Sequence, residues 1–170
     1  MTETDLGLLL LRLGLATLLA GHGLQKSLGW FRGMGPAKTA EVFESWGFRP
    51  GRPLVLLAAC CELLGALLLG TGLLTRVGSA VVTGTMLVAA APNTMNGLWA
   101  HLGGCEIPVV YAGLAVCLAV TGPGHFSLDH AAGLPDGGSW GAPVAIAVGA
   151  LAAVPPLLRR RSALRARPAS

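Results

Sequence analysis

The stretch Leu54–Leu74, LVLLAACCELLGALLLGTGLL, limits what this chain can become. A helix rises about 1.5 Å per residue, so this run is long enough to cross the ~30 Å hydrocarbon core of a bilayer. Its one acid, Glu62, stands near the middle. A carboxylate at that depth is costly unless it is paired, protonated or turned to a polar cavity. The fold must therefore supply something to meet Glu62, and the chemistry follows from what that is.

The rest of the chain suits the same solvent. Of 170 residues, 53% are hydrophobic and 12% charged, where a soluble domain carries about 25% charged residues. The mean hydropathy is +0.66. There is too little polar side chain to solvate a water-soluble fold, so the sequence predicts an all-α transmembrane helical bundle. No long linker divides the apolar runs, which makes one compact helical unit. The net charge of +4 lies beside the apolar runs; it speaks of topology, not of nucleic acid. Cys60, Cys61, Cys105 and Cys117 lack the C-x-x-C spacing of a redox or zinc site. They read as small packing residues, with a thiol redox role as the sharper alternative. The leader MTETD is acidic, unlike the basic start of a cleavable signal, so the first apolar run is expected to stay as a membrane helix.

Five spans are expected. The first covers residues 6–24, with Gly7, Gly14 and Gly21 as close-packing positions that would also allow a homodimer. Arg12, His22 and Lys26 fall within an arc of about 80° on it, giving the helix one polar side. The connection to residue 53 is basic and carries Trp30, Phe31 and Trp46, which suit a membrane interface. Within it, a short amphipathic helix starts at Pro36 and ends at Gly47. Span two is 54–74. Span three is 77–99, kinked at Pro92, with Thr85, Asn93 and Asn96 on one side. Span four is 106–121, stopped by Gly122-Pro123-Gly124. An added span within 135–158 ends at Pro155-Pro156, before a basic tail, 159–170. The first connection and the tail hold five Lys/Arg each. Five spans put both in the cytoplasm with the N-terminus outside, as the positive-inside rule requires, whereas four would separate them.

Segments in order along the chain carry a family resemblance: DLGLLLLRLGLATLLAGHGLQKSLGWFRGMG, ESWGFRP, CELLGALLLGTGLLTR, MLVAAAPNT, GGCEIPVVYA and TGPGHFSLD. Together they resemble the DoxX family of small bacterial membrane proteins, in the actinobacterial type with an added C-terminal span. The resemblance covers about Asp5 to Leu134. It implies a four-helix core over residues 1–134 in the bacterial cytoplasmic membrane. It also implies a link to thiosulfate:quinone oxidoreduction, to oxidoreductase complexes of thiol and oxidative-stress defence, or to resistance to quinone-like compounds. A distant eukaryotic relative is a cargo receptor of the early secretory pathway. The family's motif positions fall on Arg12, His22, Gly23, Lys26, Glu62 and Glu106. Asn93-Thr94 departs from the pattern, which more often has a histidine there.

Two constellations could carry chemistry. Arg12 and Glu62, on consecutive antiparallel spans, form either a structural ion pair holding register or the polar floor of a substrate site, although Arg12 counts out roughly 9 Å nearer the outer face. His22 and Lys26, spaced i,i+4, lie side by side. With Asn93, Asn96 and Glu106 at similar depth they would line a vestibule able to move protons to a quinone carbonyl. The plain alternatives are a snorkelling Lys26 and a helix-dipole role for Glu106. The histidines show no metal-ligand spacing, and no flavin or dinucleotide motif is present.

The expectation is thus an accessory membrane subunit of an oxidoreductase system that binds a quinone-like or other small apolar molecule. Glu62, His22 and Glu106 would manage protons, and Arg12, Lys26, Asn93 and Asn96 would hold the molecule. No metal and no intrinsic cofactor beyond a bound quinone is expected. The partners are the lipid bilayer, redox subunits and a second copy of the chain. A non-enzymatic scaffold or cargo-binding protein is the alternative, followed by a small-molecule transporter.

Overall fold

The structure, a computed structural model, describes residues 2–135 and 137–166; Arg167 and the rest of the expected tail lie outside them. Among the described residues there are helices and turns and no strand. The helices are α1 (Glu3–Ser27), α2 (Gly35–Ser45), α3 (Gly51–Thr71), α4 (Thr75–Ala90), α5 (Glu106–Thr121), α6 (Leu128–Ala131) and α7 (Gly138–Arg165). Two 3-10 turns, Thr94–Asn96 and Ala100–Leu102, join α4 to α5.

Four helices form the bundle. α1 packs on α3, α3 on α4 and α4 on α5, while α7 lies against α4 and α5 from outside. The core joins Leu15 and Leu19 of α1, Ala66 and Leu69 of α3, Val82 and Met86 of α4, and Tyr111, Ala115 and Leu118 of α5. α7 is held by backbone proximity. A Cβ at Gly84 would lie 2.7 Å from the Gly149 carbonyl oxygen, and one at Gly149 would lie 2.6 Å from that of Ala80. Lipid tails are as apolar as leucine, so helices in a membrane gain from such close packing and not from hiding apolar surface.

α1, α3 and α7 are each long and apolar enough to cross a membrane, whereas α4 and α5 are shorter apolar helices. Residues 77–99 are not one kinked helix: α4 stops at Ala90. Pro92 has no N–H and crowds the carbonyl four residues back. The backbone tightens instead, with Ala91 N bonded to Val88 O at 3.3 Å and Asn93 N to Ala90 O at 3.0 Å. The last helix differs the other way. It passes through Pro155 and Pro156 and ends at Arg165. Its final turns are docked: the Arg160 Nε donates to the Trp46 carbonyl at 2.9 Å, and Leu164 abuts Gly47. These contacts hold the helix past the prolines.

The connections define two poles. At the first, the His125 amide donates to Asp5 at 3.0 Å, and Asp129 accepts from the Leu74 and Thr75 amides at 2.6 and 2.9 Å. At the second, the Arg160–Trp46 bond joins the start of the basic tail to the basic first connection. α1, α3, α4, α5 and α7 run alternately between these poles.

Gly72, closing α3, has φ 66°, and a Cβ there would run into the Arg12 guanidinium. Gly72→Ala combines left-handed strain with that collision. It should cost about 1–3 kcal/mol, read as a lower midpoint of thermal unfolding in detergent.

Candidate functional site

Antiparallel packing of α1 on α3 sets which polar side chains meet. Ala16 faces Gly70, and Gly23 faces Ala59 and Leu63. This register brings Lys26, near the end of α1, within reach of Glu62. Its ammonium donates to both carboxylate oxygens, at 2.6 and 2.8 Å. Glu62 is 2% exposed, so the pair neutralises a charge that could not otherwise stay at that depth.

Arg12 is not the partner of Glu62. It sits about where α3 ends, and its guanidinium donates to the carbonyls of Pro123, at 2.8 Å, and Phe126. It is 0% exposed and fastens the segment after α5 beneath α1 and α3. The expected contact fails on depth. Arg12 lies too far toward the first pole, and carbonyl acceptors are nearer to it than the carboxylate.

Beside the Lys26–Glu62 pair opens a cavity of about 520 Å³. Its polar lining is His22, Lys26, Cys61, Glu62, Thr85, Asn93 and Tyr111, and most of the remaining wall is aliphatic or aromatic. His22 lies one helical turn before Lys26, as the i,i+4 spacing predicts. Its ring meets that of Tyr111 edge-on, 5.8 Å between centroids and 61° between planes. Thr85 donates to the Val81 carbonyl at 2.8 Å. An ammonium has three donors and Lys26 gives two bonds to Glu62, which leaves one N–H for a molecule in the cavity.

Asn96 and Glu106 do not line this cavity. With α4 ended at Ala90, the shared arc of Thr85, Asn93 and Asn96 is broken. Asn96 donates to the Gly103 carbonyl at 3.1 Å. Glu106 accepts from the Ala100 amide at 2.8 Å. Both pin the connection between α4 and α5. Of the seven candidate residues, the cavity collects His22, Lys26, Glu62 and Asn93.

Sequence reasoning passed over Tyr111, the lining role of Cys61, and the aromatic rim of Phe43, Trp46 and Phe48. The rim residues carried a signal: they sit on a short amphipathic helix and the turn after it, and its apolar side had to cover something. Tyr111, the chain's one tyrosine, sits in an otherwise apolar helix where a phenol needs a polar neighbour.

A helical bundle of this hydropathy, with a buried ion pair at the end of an apolar cavity, is a small integral membrane protein. The chain belongs to the DoxX family, whose model matches residues 7–102. The matched stretch runs from α1 through the second 3-10 turn and contains Arg12, His22, Lys26 and Glu62, while α5, α6 and α7 follow it. Searches of curated proteins and of solved structures find no match.

Breaking a buried ion pair by removing one partner costs about 3–5 kcal/mol, whereas replacing both partners with apolar groups is often close to neutral. Lys26→Met and Glu62→Leu should each lower the detergent unfolding midpoint, and the double variant should regain most of the loss. Arg12→Ala shares no partner with the pair. Combined with Glu62→Leu its effect should add to within about 0.5 kcal/mol.

Proposed function

We propose that the protein is an accessory membrane subunit of an oxidoreductase system that holds a quinone-like or other small apolar molecule in the cavity. One observation carries this reading: the apolar walls end on the Lys26–Glu62 pair and His22. Ligand sites are commonly apolar clefts of roughly 300–1,000 Å³ with a few placed polar groups, and this one fits that range.

The residues suit a molecule with carbonyl oxygens. Lys26 has a donor left for one, and His22 and Glu62 are groups that take up and release protons. Reduction of a quinone carbonyl consumes a proton with each electron, so side chains able to relay protons belong there. Electrons would reach the site from a partner subunit. The proposal places the protein in the bacterial cytoplasmic membrane. Both basic segments share the second pole, which the positive-inside rule makes cytoplasmic, so the N-terminus lies outside.

A non-enzymatic scaffold is the second reading. It is favoured by Arg12, whose guanidinium is spent on backbone carbonyls and fixes a loop. Mass spectrometry of protein purified in mild detergent separates the two. The redox reading expects near-stoichiometric quinone on the wild type and none on the Lys26→Met/Glu62→Leu double variant, which keeps the fold. Wild-type protein free of any lipid-soluble redox molecule would sink it and leave the scaffold.

A further inference from the structure

The cavity does not stop at the ion pair. It runs outward along the seam where α3 and α7 flank α4. The walls of the seam are Leu57 and Ala58 of α3, Val81 and Val88 of α4, and Ala152 and Pro156 of α7. α3 and α7 each pack on α4 and scarcely touch one another, so the seam stays open along the outer side of α4. Leu57 is 58% exposed at its edge, and Ala152 is exposed opposite. Leu56, Leu151 and Val154 continue the same apolar surface on the two helices, the surface that meets hydrocarbon in a membrane.

A strap crosses the other end of the seam. Arg160 donates to the Trp46 carbonyl at 2.9 Å, and its guanidinium stands 5.7 Å over the Phe48 ring. Trp46 and Phe48 themselves line the cavity. This strap ties α7 to the turn after α2 across the end of the seam at the second pole. The cavity therefore opens along the outer side of α4, with the strap across its end at the second pole.

We propose that the seam between α3 and α7 holds the hydrocarbon chain of a bilayer-dissolved amphiphile with an uncharged polar head, which comes in sideways from the lipid and seats its head at Lys26–Glu62. The assignment rests on the cavity reading above and adds the form of the ligand and its route. The head is uncharged because Lys26 and Glu62 already neutralise each other; an ion would arrive without a counter-charge at a depth where that is costly. The chain is hydrocarbon because the six seam residues offer no side-chain hydrogen-bonding group, so a polar tail would be buried unpaired. The polar site and the seam are continuous, which sets this groove apart from an ordinary lipid-facing furrow.

Two probes test this in nanodiscs: a methyl-dimethoxy-benzoquinone carrying a decyl chain, and the same ring without it. Affinities are expressed per mole of lipid. A chain moving from lipid to a protein groove gains little, so wild-type protein should bind both probes comparably. Ala152→Phe and Ala58→Phe fill the seam from opposite walls. Each should weaken the chain-bearing probe roughly tenfold or more by overpacking and leave the bare ring within about twofold. Equal losses for both probes, or none, would overturn the seam assignment while the cavity reading stands. A wild type that binds neither probe would overturn both.

The route is tested with Cys61, which lines the cavity. In protein carrying Cys60→Ala, Cys105→Ala and Cys117→Ala, a lipid-soluble maleimide should label Cys61 and a charged, water-soluble thiol reagent should not. Adding Arg160→Ala should admit the charged reagent. Labelling by the charged reagent with the strap intact would overturn access from the lipid.

Discussion

The Lys26–Glu62 ion pair is the constraint on which the rest depends. Glu62 belongs to the most apolar of the three helices long enough to span and is almost wholly buried. In hydrocarbon it needs a cation, and the flexible stem of Lys26 brings one from the adjacent helix at 2.6 Å. That contact demands a particular register between α1 and α3. The register is met by small residues, with Gly70 against Ala16 and Gly23 against Ala59 and Leu63. Ion pair and glycine contacts thus specify the same geometry. Neither would be satisfied by sliding one helix a turn along the other.

Arg12 performs a separate task at the opposite pole, and the division of labour is physical. A guanidinium offers five donors in a planar fork, so it can bond several backbone carbonyls at once. The segment after α5 presents two such carbonyls, from Pro123 and Phe126. Asp129, in the same segment, accepts the two amides that open α4. The connections at the first pole are held by polar side chains bonded to backbone. The cavity at Lys26–Glu62 lies toward the second pole.

Much of the fold could be read from the chain because its signals are local. The apolar runs that became α1 and α3, the proline-started α2, and the glycine stop after α5 each depend on a few neighbouring residues. Sequence and structure part where tertiary contacts decide. Pro92 in an apolar run fits a kinked helix, but the residues beyond it are bonded within the connection to α5, through Asn96 and Glu106, and the helix ends. Pro155-Pro156 alone signals a stop, yet Arg160 and Leu164 are held by the turn after α2, and the helix persists. The site followed the same rule. His22 and Lys26 came together because i,i+4 is local. Charge complementarity alone does not single out the partner of Glu62, and the register chooses Lys26 over Arg12.

α7 shows how an added element alters a site it does not chemically join. It contributes to the cavity only Ala152 and Pro156, with no ionisable group. Its backbone lies so close to α4 at Gly84 and Gly149 that neither position has room for a side chain, which brings its apolar wall parallel to α3 across the outer side of α4. Without α7 the same surface of α4 would be a shallow face open to lipid. With it, the surface becomes a two-walled seam, and Arg160 straps the end at the second pole. A helix lacking catalytic groups therefore governs the route to the ion pair, and the glycine contact that places it bears on access as much as on stability.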